Sequence, residues 1–326
     1  MAEQKGFESV WISEDPYFKD LFPVAAVLGT ATKRIRVCTG IANYYSRHPV
    51  YMAMTAATLN EICDGRFILG LGRNVRGVIE GQLGIKCGNT IEYLEEYVRV
   101  LRSVLMGEHV TLQGRFFRIR DARLRFNRAK SHTRIYTSGM GPKAFELAGR
   151  ISDGILLNSC SSPAHVKYAI EHLRIGAEQA GRGLNSLDVA CSIWLSMSDE
   201  DVETAYEVSR QSVAFLLSIP SFGELILRIN GHDASILPGI RAAYRWNVPQ
   251  GDPFWHLEHG DAKAAGSYIS DDLVKALTLT GTVKDCRRGL VEFLNAGVQL
   301  PVLFPLGQDR TTPLLLVEEL QHLRQA

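Results

Sequence analysis

Short, nearly continuous apolar runs recur along the chain, each followed by a longer stretch with helical spacing of its apolar residues. Ser9–Ser13 precedes Phe22–Thr32, Arg36–Ile41 precedes Pro49–Cys63, and Phe67–Gly72 precedes Ile91–Met106. Arg134–Thr137 then leads to Lys143–Ile151, Ile155–Asn158 to Pro163–Ala180, Val189–Met197 to Asp199–Ile219, and Val302–Leu306 to Pro313–Leu323. Runs that do not alternate apolar with polar residues suit parallel strands covered on both faces. Seven βα units in order predict a parallel α/β sheet, open or closed into a barrel. Eight make a (β/α)8 barrel, commonly of ~250 residues and longer with insertions. Met1–Lys5 reads as the last turn of a helix that has lost its beginning, so the unit expected to complete the eight is a first strand missing from the N-terminus. A barrel short of one strand exposes two sheet edges.

Two stretches break the alternation. Gln113–Phe126 reads as a β-hairpin or extended excursion. Ser221–Thr280 reads as a helical and loop insertion, with an aromatic run from Tyr244 to Trp255 that suits a lid, an oligomer contact or a packing subdomain. No low-complexity linker marks a boundary, so residues 1–326 read as one domain with insertions at about 113–126 and 221–280.

The densest chemical signal is Arg134–Ser159. A strand stops at Ser138-Gly139-Met140-Gly141, Pro142 opens a helix, and a second apolar run ends at Asn158-Ser159. That is a complete parallel βαβ unit. Glycines permit a sharp turn and close approach of a ligand to the backbone, and proline suits the first helical position. The free N–H groups of a helix start bind anions, so the loop reads as a phosphate cradle or as an ordinary βα turn.

Net charge is +1, from 36 basic and 35 acidic residues, which gives no electrostatic reason to expect nucleic acid or an anionic membrane as partner. No apolar run reaches the ~20 residues of a membrane span. Six scattered cysteines without a C-x-x-C pair read as reduced and mostly buried, and hence point to a cytoplasmic protein. Trp255-His256-Leu257-Glu258-His259 supplies two histidines but no third ligand, so no metal is expected. There is neither a G-x-S-x-G elbow nor a P-loop.

In a barrel the active site lies at the C-terminal ends of the strands. That singles out Ser13-Glu14-Asp15, Gly40-Ile41-Ala42-Asn43, Gly70-Leu71-Gly72-Arg73-Asn74, Ser138–Gly141, Asn158-Ser159 and Ser196-Met197. Several of these ends, with Gly6-Phe7-Glu8-Ser9, Ser46-Arg47-His48-Pro49, Asp64-Gly65-Arg66-Phe67, Gly141-Pro142-Lys143, Asp153-Gly154 and Leu279-Thr280-Gly281-Thr282, give the chain its resemblance to the bacterial luciferase-like superfamily. Within it the chain resembles the deazaflavin (coenzyme F420)-dependent oxidoreductases, over nearly its whole length.

The resemblance implies a (β/α)8 barrel of luciferase-like type that holds coenzyme F420, or alternatively FMN. It implies a non-prolyl cis peptide at Gly40-Ile41 pressing on the cofactor ring. Gly40, Ile41, Asn43, Gly72, Ser138, Gly139, Met140, Gly141 and Asn158 are then the expected cofactor residues. Glu14 and Asp15 are candidates for acid–base work, in which a desolvated carboxyl can serve. Relatives that oxidise sugars or alcohols carry an Asp-His or similar pair there, and Asp15 stands where the imidazole would be. That substitution turns the expectation towards reducing a C=C, C=N or carbonyl group of a small molecule. Arg73 and Arg76, standing where relatives often continue after Gly72 with Gly-x-Gly and an acidic residue, are candidates for clamping an anionic substrate or the cofactor's acidic tail. His48, in the family landmark Ser46-Arg47-His48-Pro49, is a candidate for positioning cofactor or substrate. Glu14-Asp15 as a helix-capping pair, the arginines as surface charge and His48 as a cap are the plainer readings. The remaining alternatives are an FMN-dependent monooxygenase and a barrel that binds a cofactor without catalysis. Relatives are often dimers, so a homodimer is expected.

Overall fold

A computed structural model describes residues 1–15, 17–126, 132–248, 253–307, 313, 314 and 316. The described residues form two compact units, one of 1–156 with 171–188, the other of 157–170 with 189–326. The helix expected at 313–323 falls almost wholly outside the described residues.

The first unit alternates strands and helices: β1 (Ser9–Ile12), α1 (Leu21–Ala31), β2 (Arg36–Thr39), β3 (Ala42–Asn43), α2 (Pro49–Ile62), β4 (Phe67–Gly72) and α3 (Thr90–Leu105). A hairpin follows, β5 (Val110–Gln113) with β6 (Arg118–Ala122), and then β7 (Arg134–Gly139), α4 (Pro142–Ile151) and β8 (Gly154–Leu157). The strands run in the order β1-β2-β4-β7-β8, and β1–β2, β2–β4 and β4–β7 are parallel in register. β4 is buried along its whole length, as a non-alternating apolar run requires. The second unit holds the first part of α5 (Pro163–Gln179), up to Ile170, then nearly all of β9 (Asp188–Met197), α6 (Val202–Ser218), α7 (Phe222–Ile229) and α8 (Leu237–Ala243). It continues with α9 (Pro253–His259), α10 (Ala262–Gly266), α11 (Asp271–Leu277), β10 (Leu279–Gly281), α12 (Val283–Asn295) and β11 (Leu300–Pro305), with β10 and β11 both parallel to β9.

Most elements lie where the pattern places them. The excursion at 113–126 is the second strand and turn of an antiparallel hairpin. It is pinned to α3 by Glu96, whose carboxylate accepts N–H bonds from Arg115, Phe116 and Phe117 at 3.0, 3.1 and 2.8 Å. β10 was not expected as a strand; it is short and hidden in a Thr-rich run. A π-helical turn at Gly77–Gln82 was not expected either. In the aromatic run, Trp246 stacks on the buried His256 at 3.9 Å between ring centres, so this part is packed within its own unit. All six cysteines are buried and unpaired. Among the described residues no single helix is long and apolar enough to cross a membrane.

Two glycines of β4 set how closely β2 can approach. A Cβ on Gly70 would stand 2.0 Å from the Thr39 carbonyl oxygen, and one on Gly72 would stand 2.5 Å from Ile41 Cγ1. Thr39 Oγ1 donates to the Gly70 carbonyl and accepts from its N–H, both at 2.8 Å. The obstacle at Gly70 is backbone, which has no rotamer to retreat to. Gly70→Ala is therefore expected to destabilise the fold by about 3 kcal/mol, the upper end of overpacking costs, read from the midpoint of a urea titration.

Candidate functional site

The parallel order of the first unit's strands brings the residues after β1, β2, β4 and β7 to one edge of the sheet. Between β2 and β3 the chain is broken by a cis peptide bond at Gly40-Ile41, as expected there. Gly40 has no room for a side chain, since a Cβ would meet Trp11 at 2.9 Å and Leu156 at 3.1 Å. Its N–H donates to the Ile12 carbonyl at 2.8 Å. Ile41 is seated on Gly72, and the Ile41 carbonyl accepts from the Glu14 N–H at 3.1 Å. Each glycine of this bulge is thus dictated by a neighbour's close approach rather than by a positive φ.

Glu14 closes the bulge from the β1 side. One carboxylate oxygen accepts from the Asn43 N–H at 2.5 Å and the other lies 3.4 Å from Ser46 Oγ. Burial pushes its pKa above the ordinary carboxyl range, the nearby Asp20 adds to this, and the Asn43 N–H and Arg47 oppose it. Glu14 also lines a cleft of about 530 Å3 with Ser46, Arg47, His48, Tyr51, Met54 and Thr55. Asp15 stands apart: it is exposed, and its carboxylate accepts from Ser13 Oγ at 2.7 Å. Asn43 is buried, and its side-chain oxygen accepts from the Tyr45 N–H.

His48 caps α2 by accepting the Val50 N–H on Nδ1. The capping expectation is met, but the ring has a second face in the cleft. Partial burial lowers its pKa, so the ring is neutral near pH 7, and an accepting Nδ1 leaves the proton on Nε2. Arg47 lies over the Phe22 ring, 4.5 Å from its centre, and its carbonyl accepts from Tyr97. The two arginines after Gly72 differ. Arg76 is committed to Glu80 at 2.8 and 3.0 Å and to the Cys87 carbonyl at 3.1 Å. Arg73 is exposed, with a 3.5 Å contact to Thr90.

At the end of β7, Ser138, Gly139, Met140 and Gly141 lead into α4. Gly139 is required by packing, as its Cβ would stand 2.5 Å from that of Ala144. Gly141 is not. Its φ of −118° is open to any residue, and a Cβ there would meet nothing within 4 Å. It caps α4 through its carbonyl, which accepts from Ala144 and Phe145, with no capping side chain. The N-terminus of α4 therefore faces open space with its backbone donors uncovered by a side chain, a geometry that suits an anion. Asn158, after β8, belongs to the second unit, where its carbonyl accepts from Ser161 Oγ at 2.8 Å.

The sequence singled out Asn74 by its position after β4 but gave it no role, and an aromatic group beside the site was missed. Tyr44, Tyr45, Tyr93, Tyr97, Phe116 and Phe117 pack ring to ring, with His48 edge-on to Phe117. The pair Tyr44-Tyr45 was visible, but its partners come from α3 and the hairpin, far away in sequence.

The luciferase-like monooxygenase family profile matches residues 1–300. The chain is 31% identical over 318 residues to a 5,10-methylenetetrahydromethanopterin reductase of Methanolobus tindarius, covering 97% of this chain and 92% of the relative. It is 32% identical over 271 residues to an F420-dependent glucose-6-phosphate dehydrogenase of Nakamurella multipartita, covering 79% of each. Among solved structures it resembles a coenzyme F420 dependent tetrahydromethanopterin reductase of Methanopyrus kandleri, with a TM-score of 0.82 and 25% identity over 98% of this chain and 92% of that one. The (β/α)8 fold expected from the succession of βα units is the fold these likenesses show.

Proposed function

We propose that this chain, which belongs to the luciferase-like monooxygenase family, transfers a hydride from reduced coenzyme F420 to an electron-poor carbon of a small substrate. The observation that carries this reading is Gly141, a glycine that neither backbone conformation nor packing requires, at an open helix start. A phosphate approaching that backbone supplies the missing reason for it. The names of the relatives supply the deazaflavin, and 31% identity across 97% of the chain inclines the substrate to a one-carbon unit held between nitrogens.

The residues present fit such a cofactor. Ser138, Gly139, Met140 and Gly141 would hold its phosphate on the α4 N-terminus, and Gly40-Ile41, with Asn43 and Gly72 behind it, would support the ring. When bound, the deazaflavin supplies or accepts a hydride at carbon. The chain's part is to bind, orient and handle protons. Glu14, partly desolvated and fixed by the Asn43 N–H, holds a proton that a substrate nitrogen or oxygen takes up as the carbon is reduced. For a methylene bridging two nitrogens, that proton lets one C–N bond open to the electrophilic iminium. Asp15, exposed, is left as a surface partner of Ser13. The neutral His48, through Nε2–H, and Tyr51 offer the substrate a donor and a ring face in the cleft.

Arg73 is assigned to an anionic group of the substrate and Arg76 to holding its own loop. Arg73→Gln is expected to raise KM about tenfold, the worth of one charge-assisted hydrogen bond, while Arg76→Gln leaves KM near wild type. Steady-state kinetics on the two variants checks this. The function itself is tested by mixing the protein with reduced coenzyme F420 and methylenetetrahydromethanopterin and following reoxidation. Turnover supports the reading. No reoxidation with this or any carbonyl acceptor, together with F420 reduction by glucose 6-phosphate, would replace it with a sugar dehydrogenase.

A further inference from the structure

Asn74 lies two residues after the end of β4, and its side chain is used at both ends. Its Oδ1 accepts from the Val75 N–H at 2.6 Å, a local turn bond. Its Nδ2 donates to the Glu14 carbonyl at 3.0 Å, sixty residues away. The same Glu14 gives its N–H to Ile41 and takes the Asn43 N–H on its carboxylate. Glu14 is therefore fixed from two sides, by the bulge after β2 and by the loop after β4. The bulge fixes its carboxyl; the loop fixes its backbone.

We propose that Asn74 is a positioning residue that ties the loop after β4 to the end of β1 and holds the Glu14 carboxyl in its sheltered seat against the bulge. The proposal rests on the reading of Glu14 as the proton donor. Without the bond the Glu14 carbonyl turns to water, the β1 end and the loop part, and solvent reaches the carboxyl. The charged and titratable groups facing Glu14 are Asp20 at the α1 cap, Arg47 and His48 at the start of α2, and Tyr97 of α3. None of them is on the loop carrying Asn74, so replacing Asn74 by a neutral residue leaves all of them in place.

The test is a carboxyl titration of the full chain labelled with 13C at its glutamates, followed by NMR, with the Glu14 signal assigned by its loss in Glu14→Gln. It needs neither coenzyme nor substrate, so a failure to bind F420 and a failure of this proposal are told apart. Asn74→Ser keeps a hydroxyl able to accept from Val75 N–H but is too short to reach Glu14. It is expected to lower the Glu14 midpoint by about one pH unit as burial is relieved. Asn74→Ala, which also loses the local turn bond, is expected to give the same shift. A midpoint within about 0.2 units of wild type in Asn74→Ser, at unchanged melting temperature, overturns the proposal. A shift in Asn74→Ala without one in Asn74→Ser also overturns it, because the local turn would then be the cause.

Discussion

Replacing Gly141 with Glu is expected to weaken coenzyme F420 binding at least ~100-fold without unfolding the protein. The fold tolerates the side chain, because φ at this position is ordinary and a Cβ meets nothing within 4 Å. The ligand does not. A carboxylate about 4 Å from a phosphate repels it by about 4 kcal/mol at the effective dielectric of a protein surface, more than the ~2.7 kcal/mol that 100-fold represents. It also satisfies the α4 N–H groups that the phosphate would use. The check is a fluorescence titration beside a thermal melt. A variant that melts with wild type and binds F420 equally well removes the cradle. Gly139→Glu is a poor substitute, since Ala144 already fills the space its Cβ would take.

Glu14→Gln is expected to lower kcat about 100-fold, the modest end of general acid–base contributions, with the Kd for F420 nearly unchanged. The amide still accepts from the Asn43 N–H, so the bulge keeps its brace while the proton is lost. Activity that needs protonated Glu14 should fall as pH rises through its raised pKa, and that limb should be absent from the variant's residual rate. The same shift has a consequence for stability. Burial favours the protonated form in the folded state. The contribution is therefore fully present below the ordinary carboxyl value of 4.5 and is lost as pH rises through the higher folded value. Glu14→Gln should flatten that part of the stability profile. A pH–rate profile and a pH series of denaturation midpoints read the two effects separately. Equal kcat in both proteins would leave Glu14 as a brace for Asn43 and nothing more.

The periodicity of the chain placed the first unit's elements to within a few residues, because buried parallel strands write themselves as unbroken apolar runs. β4 at Phe67–Gly72 and α4 from Pro142 are examples. The cis bond at Gly40-Ile41 was legible through family likeness alone; nothing in Thr-Gly-Ile specifies it locally, and its neighbours Trp11, Leu156 and Gly72 come from other strands. β10 escaped because three residues are too few to show a period. Arg73 and Arg76 looked equivalent in sequence. They separate only once the π-helical turn brings Glu80 and the Cys87 carbonyl to Arg76. Asn74 was named only by its place after β4; its role was invisible because its partner is Glu14, and an Asn–carbonyl bond between loops has no sequence signature.

The proposed function requires that this chain bind a deazaflavin. Equilibrium titration of the purified protein with oxidised coenzyme F420 and, separately, with FMN tests it most directly, followed by fluorescence. The expected result is saturable F420 binding that Gly141→Glu removes, with FMN binding much weaker. Tight FMN binding without F420 binding would contradict it and make the chain a flavin monooxygenase of its family. Binding of neither would leave a barrel that does not use these cofactors.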